Sequence, residues 1–138
     1  MPSPVVAVVD DDVAVGRAIV RLLRSDGMKA LAFEGAEGFL SDELRENVGC
    51  LILDVMMPGM DGLALHRRLA AIGATIPTIF ITAIDDPRSE AAARTAGALA
   101  FLRKPFDDEA LLAAAHRGLE MSTTDSDPNQ RSTRDDSA

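Results

Sequence analysis

Three stretches of this chain, Val5–Val9, Leu51–Leu53 and Ile76–Ile81, are aliphatic runs with almost no polar alternation. A strand with one wet face alternates polar and apolar residues. A run that does not alternate must be covered on both sides, as parallel strands are between two layers of helices. Two further runs of strand length, Met28–Phe33 and Ala98–Leu102, join these, the third run as a whole extending over Gly49–Leu53. The segments between them have helical spacing. Val15, Ile19, Leu22 and Leu23 share one face, away from Arg17, Arg21 and Arg24. A weaker helix is predicted over about Ala36–Glu46. A third carries Leu63, Leu65, Leu69 and Ile72 behind a cap at Asp61, and a fourth runs over about Pro87–Ala96 and stops at Gly97. A fifth follows a cap at Asp107 and carries Leu111, Leu112 and Leu119. Strand and helix therefore alternate, which predicts an α/β domain with right-handed crossovers around a central parallel sheet.

At 138 residues this is the length of one domain, and its apolar runs are too short to span a membrane. The opening MPSPVVAVVDDD lacks the basic segment and cleavage pattern of a signal peptide. Cys50, the only cysteine, has no internal disulfide partner, so a cytoplasmic setting is expected and Cys50 reads as core. A net charge of −8 argues against direct nucleic-acid binding by this chain. With no Trp or Tyr and 4% aromatics, a flavin site is not expected either. After Met121 the chain reads STTDSDPNQRSTRDDSA, which cannot bury a core. Residues 4–121 are therefore expected to form the domain, and 122–138 a disordered tail or linker.

The chemistry lies at the carboxyl ends of the predicted strands, where open α/β sheets bind ligands. The first strand runs into Asp10, Asp11 and Asp12, the third into Asp54, the fourth into Thr82, and the fifth into Arg103, Lys104 and Pro105. Taken singly, each residue has a structural explanation. Asp12 reads as a helix cap, Thr82 as a strand end, Arg103 as a solvated charge, and Met56 and Met57 as packing. His66 and His116 lack metal-ligand partners at suitable spacing, so surface or helix-end roles are expected. The constellation is what needs explaining. Asp10, Asp11 and Asp54 at one sheet edge repel one another, and Lys104 brings a single positive charge. A hard divalent cation with oxygen ligands is the natural remedy. Acid, metal, hydroxyl and amine together describe a phosphoryl-transfer site with a carboxylate nucleophile.

VVDDD at 8–12, LDVMMPGMDG at 53–62, ITA at 81–83 and LRKPF at 102–106 stand in one order and at one spacing. In these the chain resembles a bacterial two-component response-regulator receiver domain over about residues 4–120, closest in flavour to FixJ-like receivers. The resemblance implies a flavodoxin-like (CheY-like) doubly wound sheet of five parallel strands, order 2-1-3-4-5, with five helices. It implies that Asp54 is the phosphoacceptor, taking a phosphoryl group from a sensor histidine kinase or phosphotransfer protein. Asp11, Asp54 and the Met56 backbone carbonyl would ligate Mg²⁺, or Mn²⁺ in its place, and Asp10 would assist through water. Lys104 would pair with the phosphoryl group and Thr82 would hydrogen-bond it. Thr82 and Phe101 would form the switch, acting on the face made by the fourth helix, fifth strand and fifth helix. The Lys104–Pro105 peptide would be cis, and Ala83 would leave room for the phosphoryl group. Such a domain is a signalling receiver, not an enzyme acting on other substrates, either free-standing or part of a transcriptional regulator.

Two departures matter. Ala100 stands where many dimerising receivers carry an acid, which weakens one mode of phosphorylation-dependent homodimer without excluding others. Met56 and Ile84, two residues beyond Asp54 and Thr82, are apolar and cannot position an attacking water, so slow self-hydrolysis is expected. Other classes fit less well. A pseudo-receiver would lack one of the acids or the lysine, and an aspartyl phosphatase would carry an acid where Met56 stands. A nucleotide-binding domain would have a Gly-rich first loop, not an acidic one.

Overall fold

The computed structural model describes residues 4–42, 46–83 and 86–125. Its elements run β1 (Val5–Val9), α1 (Val13–Ser25), β2 (Ala30–Phe33), α2 (Ala36–Leu40), β3 (Val48–Asp54), α3 (Gly62–Ala71), β4 (Thr78–Thr82), α4 (Pro87–Thr95), β5 (Ala100–Arg103) and α5 (Asp108–Asp125). The five strands form one sheet in the order β2-β1-β3-β4-β5, with every pairing parallel. The chain therefore has the doubly wound, CheY-like fold that the resemblance implies.

Every residue of β1, β3 and β4 is buried, which is what their unbroken hydrophobicity predicts. Successive residues still point to opposite faces. Val6, Val8, Cys50, Ile52, Ile79 and Ile81 pack against Ile19 and Leu23 of α1 and Leu111 and Ala115 of α5. Ala7, Val9, Leu51, Leu53 and Phe80 pack against Phe39 of α2, Leu65 and Leu69 of α3, and Ala93 of α4. Fully burying one such aliphatic side chain contributes about 1.5–3 kcal/mol. The central strands are thus the most firmly held part of the molecule.

Some boundaries differ from the sequence expectation. β2 and β5 begin later than their apolar runs, because Met28 and Leu99 pack against the core ahead of the first ladder residue. β4 starts only after Pro77, which has no N–H to give to a ladder. α2 is five residues long, not eleven. It lacks a side-chain N-cap, and the Ser41 hydroxyl donates to the carbonyl of Glu37 (2.9 Å), closing its last turn. Phe39 still docks it, meeting Phe33 edge-on at 5.4 Å. α4 ends at Thr95, and Gly97 turns the chain away with φ 86°. α5 continues through Asp125, four residues beyond Met121, while 126–138 of the expected tail lie outside the described residues.

α5 lies unusually close to β3. A Cβ at Gly118 would stand 2.6 Å from the Cys50 sulfur and 3.2 Å from a Leu99 methyl. Gly118→Ala is therefore expected to destabilise the domain by about 1–3 kcal/mol, as overpacking does. The obstruction is largely one side-chain atom, so the Gly118→Ala, Cys50→Ala double variant should lose less stability than the two single losses added together. Urea denaturation of all four proteins measures this coupling, and strict additivity would refute the contact.

Candidate functional site

The three acids after β1 divide the work among them. The Asp10 N–H donates to the Phe33 carbonyl (3.1 Å), so the backbone is still held against β2, and the Asp10 side chain is buried. Asp11 is exposed. Asp12 turns away to cap α1, accepting from the N–H groups of Ala14 (3.0 Å) and Val15 (3.3 Å), as its sequence position predicts. Its own N–H donates to Asp10 Oδ1 at 2.9 Å, which fixes the orientation of that carboxylate.

Asp54 is the last residue of β3, in register with Ile81 of β4, and its side chain is buried. The next residue is held on both sides. The Val55 N–H donates to the Ile81 carbonyl (2.8 Å), and the Val55 carbonyl accepts from the Gly62 N–H at the start of α3 (3.1 Å). The Met56 N–H returns to Asp54 Oδ1 at 3.1 Å. The two methionines then part, Met57 buried and Met56 52% exposed. Gly59, with φ 79° after Pro58, makes the turn toward α3. Thr82 closes β4 and is buried, and its carbonyl accepts from the Lys104 N–H at 2.8 Å. The Lys104–Pro105 peptide is cis.

These four strand ends meet. Lys104 Nζ donates to Asp10 Oδ2 at 2.9 Å and to Asp54 Oδ2 at 3.4 Å. Carboxylate oxygens of Asp10, Asp11 and Asp54 all lie within 4.8 Å of one another. Burial, then the neighbouring Asp10 charge, pushes the Asp54 carboxyl from its ordinary 3.8 up to about 6, against the pull of Lys104 and the Met56 N–H. Burial works against the Lys104 ammonium as well, but the bond and charge of Asp10, followed by those of Asp54, leave its pKa raised. One cation thus faces three acids, the imbalance expected from the sequence. Asp10, Asp11 and Asp54 are the group among the described residues that could hold a metal ion. Their donors are all oxygen, which suits a hard divalent cation.

Phe101 is half-buried against the side of the core that α3 and α4 cover, and Ala100 is likewise half-buried. Ala83 is exposed, and Ile84 lies outside the described residues. Cys50 is core, with burial pushing its thiol up to about 12. His66 has no metal-ligand cluster around it among the described residues. It is half-buried in α3, edge-on to Phe80 at 5.5 Å, and burial lowers its pKa. His116 is exposed on α5 and meets Asp26 at 2.7 Å. A feature not anticipated is a groove of about 530 Å³ whose lining includes Val15, Ala18, Leu22, Lys104, Pro105 and Phe106. Its signal was present in Val15, Ala18 and Leu22, which recur at helical spacing on the flank of α1's buried stripe.

Comparison with known proteins agrees with this geometry. Residues 6–116 match the response regulator receiver domain. The response regulator protein TmoT of Ectopseudomonas mendocina is 44% identical over 117 residues, covering 85% of this chain and 53% of that protein. The transcriptional regulatory protein FixJ of Azorhizobium caulinodans is 40% identical, covering 83% of this chain and 54% of its own length. The chain thus spans about half the length of these curated relatives. Among solved structures, the response regulator StyR superposes with a TM-score of 0.86 at 42% identity, covering 98% of this chain and 67% of that one. The FixJ N-terminal domain gives 0.78 at 34% identity, covering 87% and 96%. The chain belongs to the receiver domain family of two-component response regulators.

Proposed function

We propose that this domain is the phosphoacceptor of a two-component relay, with Asp54 taking a phosphoryl group from a phosphohistidine on a sensor histidine kinase or phosphotransfer protein. The observation that carries this reading is Asp54 itself, a buried carboxylate at a strand end, 3.4 Å from Lys104 and clustered with Asp10 and Asp11. In the transfer, an Asp54 oxygen forms a bond to phosphorus as the phosphorus–nitrogen bond breaks and its electron pair leaves on the imidazole. Lys104 holds the phosphoryl oxygens by charge, and the Thr82 hydroxyl hydrogen-bonds one of them. Asp11, Asp54 and the Met56 carbonyl would hold Mg²⁺, or Mn²⁺, with Asp10 assisting through water, and the bound cation would supply the positive charge that the phosphoryl group lacks. The exposed, apolar Met56 side chain offers no group to position water, which favours a long-lived acyl phosphate.

The response follows from the same contacts. Thr82 drawn toward the phosphoryl group vacates space for Phe101 to turn inward, which alters the face formed by α4, β5 and α5. That face would serve a phosphorylation-dependent homodimer or the rest of a longer regulator. Relatives matched over only about half of their own length, such as the transcriptional regulatory protein FixJ, support a transcriptional output outside residues 4–121. The acidic balance leaves nucleic-acid contact to that output. Among the described residues no helix is long and apolar enough to cross a membrane, in keeping with the cytoplasmic setting of such relays.

Treatment with acetyl phosphate, or with beryllofluoride, in the presence of Mg²⁺ should modify the wild type and leave Asp54→Asn unmodified, as read by intact mass or by the fluorine NMR of the adduct. Equal modification of both proteins would refute Asp54 as acceptor. Millimolar Mg²⁺ should raise the melting temperature, because a ligand of the folded site stabilises it by mass action, and Asp11→Asn should blunt that rise. No shift in either protein would contradict the cation site.

The raised Asp54 pKa predicts a pH dependence in metal-free buffer. The folded protein keeps this proton up to about pH 6, whereas the unfolded chain releases it near 3.8. The ionised residue therefore costs stability as pH rises through that window, and the cost is complete above it. Asp54→Asn should be more stable than wild type at pH 7.5, by a margin that shrinks toward pH 4. Thermal melts across that range measure the margin, and one that stays constant would contradict the assigned electrostatics.

A further inference from the structure

Three glycines leave no room for a side chain, and they differ in what crowds them. At Gly49 an added Cβ would meet the side chains of Pro4, Leu119 and Ser122, and at Gly118 those of Cys50 and Leu99. At Gly62 its three nearest neighbours would all be backbone: the carbonyl oxygen of Asp54, its carbonyl carbon at 3.0 Å, and the Val55 Cα at 3.2 Å. A side chain can rotate or be truncated to relieve a contact. Backbone can do so only by moving the segment that contains it.

That segment is closely held. Val55 is tied to β4 through the Ile81 carbonyl (2.8 Å) and to α3 through the Gly62 N–H (3.1 Å). Leu53 and Val55 are both buried, so β3 cannot recede without opening the core. On the other side, Asp61 accepts from the Ala64 N–H at 2.8 Å and fixes the first turn of α3, with Gly62 at its start. The Met56 N–H in turn holds Asp54 Oδ1 at 3.1 Å. The start of α3 is thus a stop against which the end of β3 rests.

We propose that Gly62 is a positioning residue for the phosphoacceptor: its bare Cα lets α3 rest against the Asp54 backbone, and that contact sets where the Asp54 carboxylate and the Met56 carbonyl emerge. The proposal rests on the reading of Asp54 as phosphoacceptor given above. It adds a requirement that Asp10, Asp11, Thr82 and Lys104 do not meet. Those residues bind the reacting groups, whereas Gly62 touches neither metal nor phosphoryl group and acts through the main chain. A reacting group displaced on the order of 1 Å loses about 10²-fold in rate. A methyl group at Gly62 must cause either a displacement of this kind or an outward shift of α3.

The test compares Gly62→Ala with Gly118→Ala, a second overpacked glycine variant whose contact lies away from the site. The Mg²⁺ dissociation constant is measured by calorimetry, and the rate of phosphorylation by acetyl phosphate at saturating Mg²⁺. Both variants should melt at lower temperature. Gly62→Ala alone should weaken Mg²⁺ binding and slow phosphorylation, each by about tenfold or more, while Gly118→Ala keeps wild-type values in both. Should Gly62→Ala fail to fold, Asp61→Ala decides the question. It keeps the glycine but releases the first turn of α3, and should show a smaller loss in the same two quantities. Wild-type Mg²⁺ affinity and rate in a folded Gly62→Ala, or in Asp61→Ala where that variant decides, would overturn the proposal alone. If the wild type neither binds Mg²⁺ nor accepts phosphoryl groups, the functional reading fails, and this proposal with it.

Discussion

A parallel sheet covered by helices on both faces has almost nowhere to put a polar side chain. In this protein β1, β3 and β4 are buried from end to end, and their buried polar side chains stand at strand ends. Thr78 opens β4, while Asp10, Asp54 and Thr82 stand where β1, β3 and β4 stop. The site is a consequence of that confinement. Asp10, Asp54 and Thr82 are buried because they end buried strands, and they adjoin one another because β1, β3 and β4 are neighbours in the sheet. Lys104 reaches them from the far side of β4, with its backbone N–H held by the Thr82 carbonyl. Hydrophobic burial thus brings together charges that would otherwise repel.

Among these charges Lys104 is the shared counterion, closer to Asp10 than to Asp54. A cation taken up by the acids would relieve their repulsion and leave the ammonium available to a phosphoryl oxygen. Phosphoryl transfer and metal binding would then be coupled through one lysine. The tight hold on Asp10, by Lys104 on one oxygen and the Asp12 N–H on the other, suits a residue that works through position.

Much of this was legible in the sequence because burial leaves a direct mark on it. The unbroken runs around Val5–Val9 and Leu51–Leu53 revealed strands covered on both faces, and the acids and lysine that interrupt such runs marked the site. The strand order came from the motifs, since periodicity carries no information on which strands are neighbours. α2 is shorter than its apolar pattern predicts, because its termination depends on the Ser41 side chain and on docking by Phe39, neither of which alters that pattern. α5 runs past Met121 to Asp125 through residues that carry no apolar mark in the sequence. His66 is half-buried beside Phe80, an aromatic neighbour distant in sequence that helical spacing does not reveal. The close approach at Gly62 has no counterpart in the sequence, because contact between two backbones leaves no pattern in a single chain.

The seam between Gly118 and Cys50 also has a practical side. The chain's only sulfhydryl is sealed beneath a helix and held as a neutral thiol, its pKa near 12. Alkylating reagents attack thiolates, so the native protein is chemically silent toward them. A cysteine introduced at exposed Ile72 or Met121 would be the one reactive handle on the molecule. Fluorophores or spin labels could then follow α3 or α5 in real time, with the native cysteine left in place.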